Sequence, residues 1–96
     1  MTERKFECTI CFADSDEGRI RDKLALALPE LKWEEGDSSW DKVRVWGESA
    51  DRFVRVYRYE SPGPFQLTVI LKSGGDVEYT GLRDRVLRAL DATVCE

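Results

Sequence analysis

Two of the three cysteines in this chain form a C-x-x-C sequence, Cys8-Thr9-Ile10-Cys11, and the third is Cys95. A redox pair needs both sulfur atoms side by side, usually where a helix N-terminus lowers the pKa of one thiol. In an extended strand, residues three apart point to opposite faces of the sheet. We therefore expect Cys8 in the core and Cys11 at the surface, with no redox function.

Other catalytic chemistry finds little support in the residue types. The chain contains no histidine, which excludes Ser/His/Asp and Cys/His catalysis and histidine metal sites. Three cysteines without a second C-x-x-C are a poor ligand set for zinc. Acid–base catalysis needs carboxylates with shifted pKa values, and Glu7 alone falls inside a predicted apolar run. We therefore expect no enzyme activity, no metal and no cofactor.

An acidic segment between residues 33 and 41 combines carboxylates with tryptophans. Its members are Trp33, Glu34, Glu35, Asp37, Trp40 and Asp41. The spacing does not match the alternating oxygen ligands of a calcium loop. In one interpretation the segment is a solvated connection whose tryptophans fold back against the edge of the core. In the other it is a docking patch, where acids attract a cationic surface and tryptophan anchors it.

The elements that position these residues follow from the hydrophobic pattern. Period-two alternation predicts four strands, at residues 5–13, 43–48, 52–60 and 65–72. Apolar stripes at helical spacing predict a helix over residues 14–28, ended by Pro29, and a second one whose stripe runs to Val94. The start of the second helix stays open, since Thr80 could cap it but Tyr79 also fits the stripe. The order β-α-β-β-β-α predicts a single α+β domain over residues 1–96. We expect a two-layer sandwich with a mostly antiparallel four-stranded sheet and both helices on one face.

Two further expectations concern this fold. A right-handed crossover through the first helix would place the first strand parallel to the second or the fourth. The predicted core contains the inward-facing strand residues and the helix stripes. These residues are Phe6, Cys8, Ile10, Phe12, Ile20, Leu24, Leu28, Val43, Val45, Val54, Val56, Phe65, Leu67, Val69, Leu71, Leu82, Val86 and Leu90.

In each predicted strand, the residues that alternate with the core residues lie on the sheet face that the helices do not cover. The candidate binding residues there are Arg44, Trp46, Arg55, Tyr57 and Tyr59. The same parity includes Thr9, Cys11, Phe53, Gln66, Thr68 and Ile70. Tryptophan, tyrosine and arginine are the common hot-spot residues of protein interfaces. The alternative is ordinary cross-strand pairing, which stabilises a sheet by about 0.2–1 kcal/mol per pair.

The charge balance favours a protein partner. The chain has 15 basic and 19 acidic side chains, a net charge of −4. This balance argues against a protein that coats nucleic acids or membranes through general electrostatic attraction, and for a cationic partner. We expect a small acidic binding module, of the inhibitor or immunity-protein kind, that docks a basic protein through the uncovered face and the acidic segment.

Two alternatives use the same sheet face. In the first, aromatic residues stack the bases of single-stranded RNA, and arginines contact its phosphates. The arginines concerned are Arg44, Arg52, Arg55 and Arg58. In the second, the face forms a symmetric homodimer.

The compartment is inferred from apolar runs and cysteine number. The sequence has no apolar run typical of a secretion signal and no apolar span of membrane length. An odd cysteine count without such a signal favours reduced thiols. We therefore expect a cytoplasmic protein without disulfides and without a membrane partner.

Overall fold

Four consecutive strands lie between two helices in this chain, and one further strand lies at each end, as described by a computed structural model for residues 3–13, 16–36, 43–58 and 64–95. The elements in chain order are β1 (Arg4–Cys11), α1 (Glu17–Ala27), β2 (Lys32–Glu35), β3 (Val43–Glu48), β4 (Arg52–Arg58), β5 (Phe65–Leu71), α2 (Asp76–Leu90) and β6 (Thr93–Val94). At the start of α1, the Asp16 side chain accepts a hydrogen bond from the Arg19 backbone N–H at 3.1 Å. This capping bond satisfies a donor that the helix itself leaves unpaired.

The strands form one antiparallel sheet in the order β2-β3-β4-β5-β1-β6. The α+β class is confirmed, but the predicted number of four strands is wrong because β2 and β6 add one short strand at each edge. The expected parallel pairing of the first strand is also wrong. β1 pairs antiparallel with β5, because α1 carries the chain across to the far edge of the sheet rather than to a neighbouring strand.

The two edge strands have local physical causes. In β2, Trp33 lies opposite Gly47, where the absence of a side chain lets the indole ring approach the backbone. At the other edge, Asp91 adopts a left-handed conformation with φ 52°, and the Ala92 N–H donates to the Leu87 carbonyl at 2.8 Å. This Schellman-type turn ends α2 at Leu90. The predicted extension of the second helix to Val94 is therefore wrong.

Both helices pack on one face of the sheet, as predicted. The predicted core residues are buried, with two exceptions: Phe6 and Phe12 are only partly buried, and the Val43 side chain lies outside the description. Leu31 joins the core in addition. In the part of the chain described, no helix is long and apolar enough to cross a membrane.

Aromatic rings close the rim of this core. Phe6 stacks on Tyr79 with ring centroids 4.4 Å apart, and Phe12 stacks on Phe65 at 4.2 Å. Burial, together with the neighbouring Cys8 thiol, raises the pKa of Tyr79 to about 12. The phenol therefore stays protonated to a higher pH than an exposed tyrosine and packs as an uncharged ring.

An arginine on α2 joins the two helices. Arg85 donates to the Ala27 carbonyl at 2.8 Å and makes a two-point contact with Glu30, at 2.6 and 3.0 Å. Ala27 is the last residue of α1, where helix carbonyls lack partners within the helix. The hydrogen bond with Arg85 lowers the pKa of the Glu30 carboxyl.

A disulfide joins the first strand to the segment after β6. The sulfur atoms of Cys11 and Cys95 are bonded, and the Cys95 N–H donates to the Thr9 carbonyl at 3.0 Å. Cys8 is free and buried, while Cys11 lies at the surface, so the predicted separation of the C-x-x-C pair is confirmed. The expectation of reduced thiols is wrong for Cys11 and Cys95. Disulfides persist in oxidising compartments. The cysteines therefore no longer support the expectation of a cytoplasmic protein.

Reduction of the disulfide should lower the free energy of unfolding by up to about 4.5 kcal/mol, because the bond restricts the unfolded chain over a long loop. The two cysteines are 84 residues apart in sequence. The measurement is urea unfolding with and without dithiothreitol. Cys95→Ser should unfold like the reduced wild type and should not respond to the reductant; a wild type that is insensitive to reduction would contradict the prediction.

Glu30→Gln should destabilise the fold at pH 7 by less than about 1 kcal/mol, since the carboxylate is well exposed and water screens the pair. Arg85 lowers the pKa of Glu30 from its ordinary value of 4.5. The stabilisation is therefore present above pH 4.5 and is lost as the pH falls through the folded-state pKa. Unfolding measured from pH 7 to pH 3 should show the two proteins converging at acid pH. In an Arg85→Gln background the second substitution should have no effect at either pH.

Candidate binding face

The open face is the surface of the sheet opposite the helices, and its residues follow from the strand register. Its described members are Lys5, Glu7, Thr9, Cys11, Lys32, Glu34, Arg44, Trp46, Glu48, Phe53, Arg55, Tyr57, Gln66, Thr68 and Ile70. Their neighbours along the strands, such as Val45, Val54 and Val56, are fully buried on the helix side. The predicted parity of these strands is therefore confirmed.

Four of the predicted binding residues meet at the centre of the open face. Trp46 of β3 lies opposite Arg55 of β4, and in the adjacent row Arg44 lies opposite Tyr57. Cross-strand neighbours on one face have Cβ atoms about 4.5–5.5 Å apart. The strand register thus produces one cluster from residues that are up to 13 positions apart in sequence.

Each arginine of this cluster lies over an aromatic ring on the same strand. The Arg55 Cζ atom is 4.3 Å from the centroid of Tyr57, and the Arg44 Cζ atom is 5.5 Å from that of Trp46. A guanidinium group over an aromatic face is attracted by the ring quadrupole, by about 0.5–1 kcal/mol at exposed sites. These contacts restrict the orientation of both guanidinium groups. Trp46, Arg55 and Tyr57 are half-buried, and Arg44 is exposed.

Shallow depressions flank the cluster. One, of about 210 Å³, is lined by Arg44, Trp46, Phe53 and Arg55. A second, of about 160 Å³, lies at the rim, where Phe53 and Ile70 form part of its wall. Phe53 has the parity of the open face, but the sequence did not distinguish it from residues that only pair across strands. The shape of the surface makes it a functional candidate.

Thr68 differs from the expectation of a water-facing residue. It belongs to the open face by register, opposite Arg55 on one side and Glu7 on the other, yet it is only 1% exposed. Neighbouring side chains cover it because β5 lies in the middle of the sheet. Its Oγ1 atom has no hydrogen-bond partner among the described residues.

The acidic segment divides between the two faces. Trp33 turns towards the core, where its Nε1–H donates to the Leu28 carbonyl at 2.8 Å. Glu35 faces α1 and accepts a hydrogen bond from Arg21 at 2.8 Å. Glu34 lies on the open face, opposite Trp46. Trp33 and Glu35 thus contact the edge of the core and α1. Of the acids of this segment that the structure describes, Glu34 is the one that lies beside the cluster.

The remaining predicted binding residues lie outside the described part of the chain. They are Asp37, Trp40, Asp41 and Tyr59. They stay predictions from the sequence, and the binding face is defined without them.

Comparison with known proteins assigns the chain to no family, since no protein-family model and no curated protein matches its sequence. What the open face can bind is therefore inferred from its own side chains.

Gly47→Ala should destabilise the fold by about 1–3 kcal/mol, because overpacking a rigid contact forces the neighbours to move. A Cβ atom at Gly47 would lie 2.6–2.8 Å from three ring carbons of Trp33. Gly81→Ala in α2 is the matched control: nothing lies within 4 Å of its added Cβ, and alanine favours a helix interior by about 1 kcal/mol. Urea unfolding of both variants checks the prediction, and a Gly47→Ala variant as stable as the wild type would contradict the Trp33 contact.

Proposed function

We propose that this protein is a non-enzymatic binding module that docks a partner protein on its open face, in the manner of small inhibitor or immunity proteins. The observation that carries the proposal is the cluster of Arg44, Trp46, Arg55 and Tyr57 at the centre of a sheet face that neither helix covers. Tryptophan, tyrosine and arginine dominate binding hot spots because they combine a large contact area with few flexible torsions or with several donors.

The surroundings of the cluster suit a protein interface. Such interfaces have an apolar centre and a polar rim. Here Phe53 extends the aromatic centre, and charged residues of both signs lie around it, including the Lys5–Glu7 ion pair at 3.0 Å. Mixed charges give a protein partner specific contacts and restrict its orientation.

The partner that best fits is a basic protein. The net charge of −4 attracts cationic surfaces over long range and accelerates their encounter. Glu34 of β2 lies directly opposite Trp46, and Glu48 is the next residue on the same face of β3. Basic side chains of a partner would meet these two acids next to the aromatic centre.

Single-stranded RNA fits this face less well. Arg44 and Arg55 lie on this face, but Arg52 and Arg58 have the parity of the buried valines and lie on the helix side. Arg52 pairs there with Glu78 of α2 at 3.5 Å, and Arg58 lies over the ring of Phe65. Acidic neighbours on the open face would also repel phosphates.

Trp46→Ala tests the proposal. A partner is first recovered at low salt on the immobilised chain from a lysate of the source organism, identified and purified. Its affinity should then fall at least about ten-fold for Trp46→Ala, as for a central hot-spot residue, and its association rate should fall with rising salt. Val77→Ala on α2, where Val77 is 86% exposed, is the control and should bind like the wild type.

Three outcomes would contradict the proposal. Equal affinity of wild type and Trp46→Ala would remove the open face from the interaction. Retention of single-stranded RNA on a filter, with a steep loss of affinity in salt, would favour the RNA interpretation. A dimer in sedimentation that becomes a monomer on Trp46→Ala would assign the face to a second copy of this chain. Thermal unfolding of Trp46→Ala confirms that the variant is folded.

A further inference from the structure

Arg55 occupies a central position on the open face. It lies in the central strand β4, between Trp46 and Thr68 in neighbouring strands, and its guanidinium is stacked on Tyr57. No carboxylate among the described residues lies within ion-pair distance of it. On the helix side, Arg52 and Arg85 each pair with an acid, at 3.5 and 2.6 Å.

Two polar atoms in this row have unmet hydrogen-bonding capacity. The Arg55 Nε atom is buried and has no acceptor among the described residues, and the same holds for Oγ1 of Thr68. Buried polar groups are hydrogen-bonded in the great majority of folded proteins. The Nε atoms of Arg58 and Arg83 are also buried without an acceptor among the described residues, so the surroundings of Arg55 decide what it can bind.

The depression beside Arg55 has the size and lining of a side-chain pocket. It has a volume of about 210 Å³ and is lined by two arginines and two aromatic residues, Arg44, Arg55, Trp46 and Phe53. Gly36 makes room for the second guanidinium, since a Cβ atom there would lie 2.9 Å from the Arg44 Nε. Arg55 thus presents a planar guanidinium, a suitable partner for an anion, next to apolar surface.

We propose that this depression binds a carboxylate that is carried next to an apolar group, such as an acidic side chain or the C-terminal carboxylate of the docked partner. The proposal rests on the function proposed above and names the anchor that the partner inserts. A carboxylate carries one negative charge, whereas a phosphate group carries about 1.5 to 2. Glu34 and Glu48 lie close to the pocket and would repel the phosphate more strongly.

The test uses a small probe, 3-phenylpropanoate, with its uncharged amide as the matched comparison. Binding is followed by nuclear magnetic resonance at the Arg55 Nε–Hε and Trp46 indole signals. The acid should bind saturably in the millimolar range, as expected for a fragment of this size, and about ten-fold more tightly than the amide. Arg55→Lys should lose most of this preference because lysine lacks the planar fork. Arg88→Lys, at an exposed site on α2, should behave like the wild type.

Several results would overturn the carboxylate assignment. These are equal binding of acid and amide, unchanged binding to Arg55→Lys, no binding of the acid, and tighter binding of phenyl phosphate than of the acid. The docking function fails separately. A purified partner that binds Arg55→Lys like the wild type, but binds Trp46→Ala weakly, would leave docking on the open face intact and remove only the carboxylate anchor.

Discussion

Side chains along an antiparallel strand point alternately to opposite faces, and in this protein both helices pack on the same face. That one-sided coverage determines the environment of every strand residue. Val45 and Val54 are fully buried, while their neighbours Trp46 and Arg55 lie on the uncovered surface. A shift of one residue in the register of β3 or β4 would place a tryptophan and an arginine under the helices. The packing of the core therefore also determines which side chains lie on the opposite surface.

Arginines make two kinds of contact in this fold. Some bridge elements that are distant in sequence, as Arg85 does between α2 and the end of α1. Others lie over aromatic rings, as Arg44 and Arg55 do on the open face and Arg58 does over Phe65 on the helix side. The first arrangement uses the charge to join elements of the fold. The second restrains the guanidinium group against a neighbouring ring.

The sequence predicts the central part of the fold well because periodicity is strong there. The alternation of β1, β3, β4 and β5 assigns their faces, and the helical stripes assign Ile20, Leu24 and Val86 to the core. The edges are less predictable. A two-residue strand has no period, and the four residues of β2 depend on a glycine opposite Trp33. The Cys11–Cys95 bond depends on that unpredicted last strand, so composition alone favoured reduced thiols. Likewise, the alternation of residues along each strand is enough to predict which side chains lie on the open face. The depression beside Phe53 could not be predicted, because it depends on the register between neighbouring strands.

The bond between Cys11 and Cys95 turns most of the chain into a covalently closed ring. Tension applied from outside the two cysteines would pass through β1 and the sulfur bridge, and the residues between the cysteines would carry none of it. The helices and strands β2 to β5 would thus be shielded from mechanical pulling as long as the bridge is oxidised. Stretching the oxidised chain should extend only the segments outside the ring, whereas in the reduced chain the residues between the two cysteines can be drawn out as well.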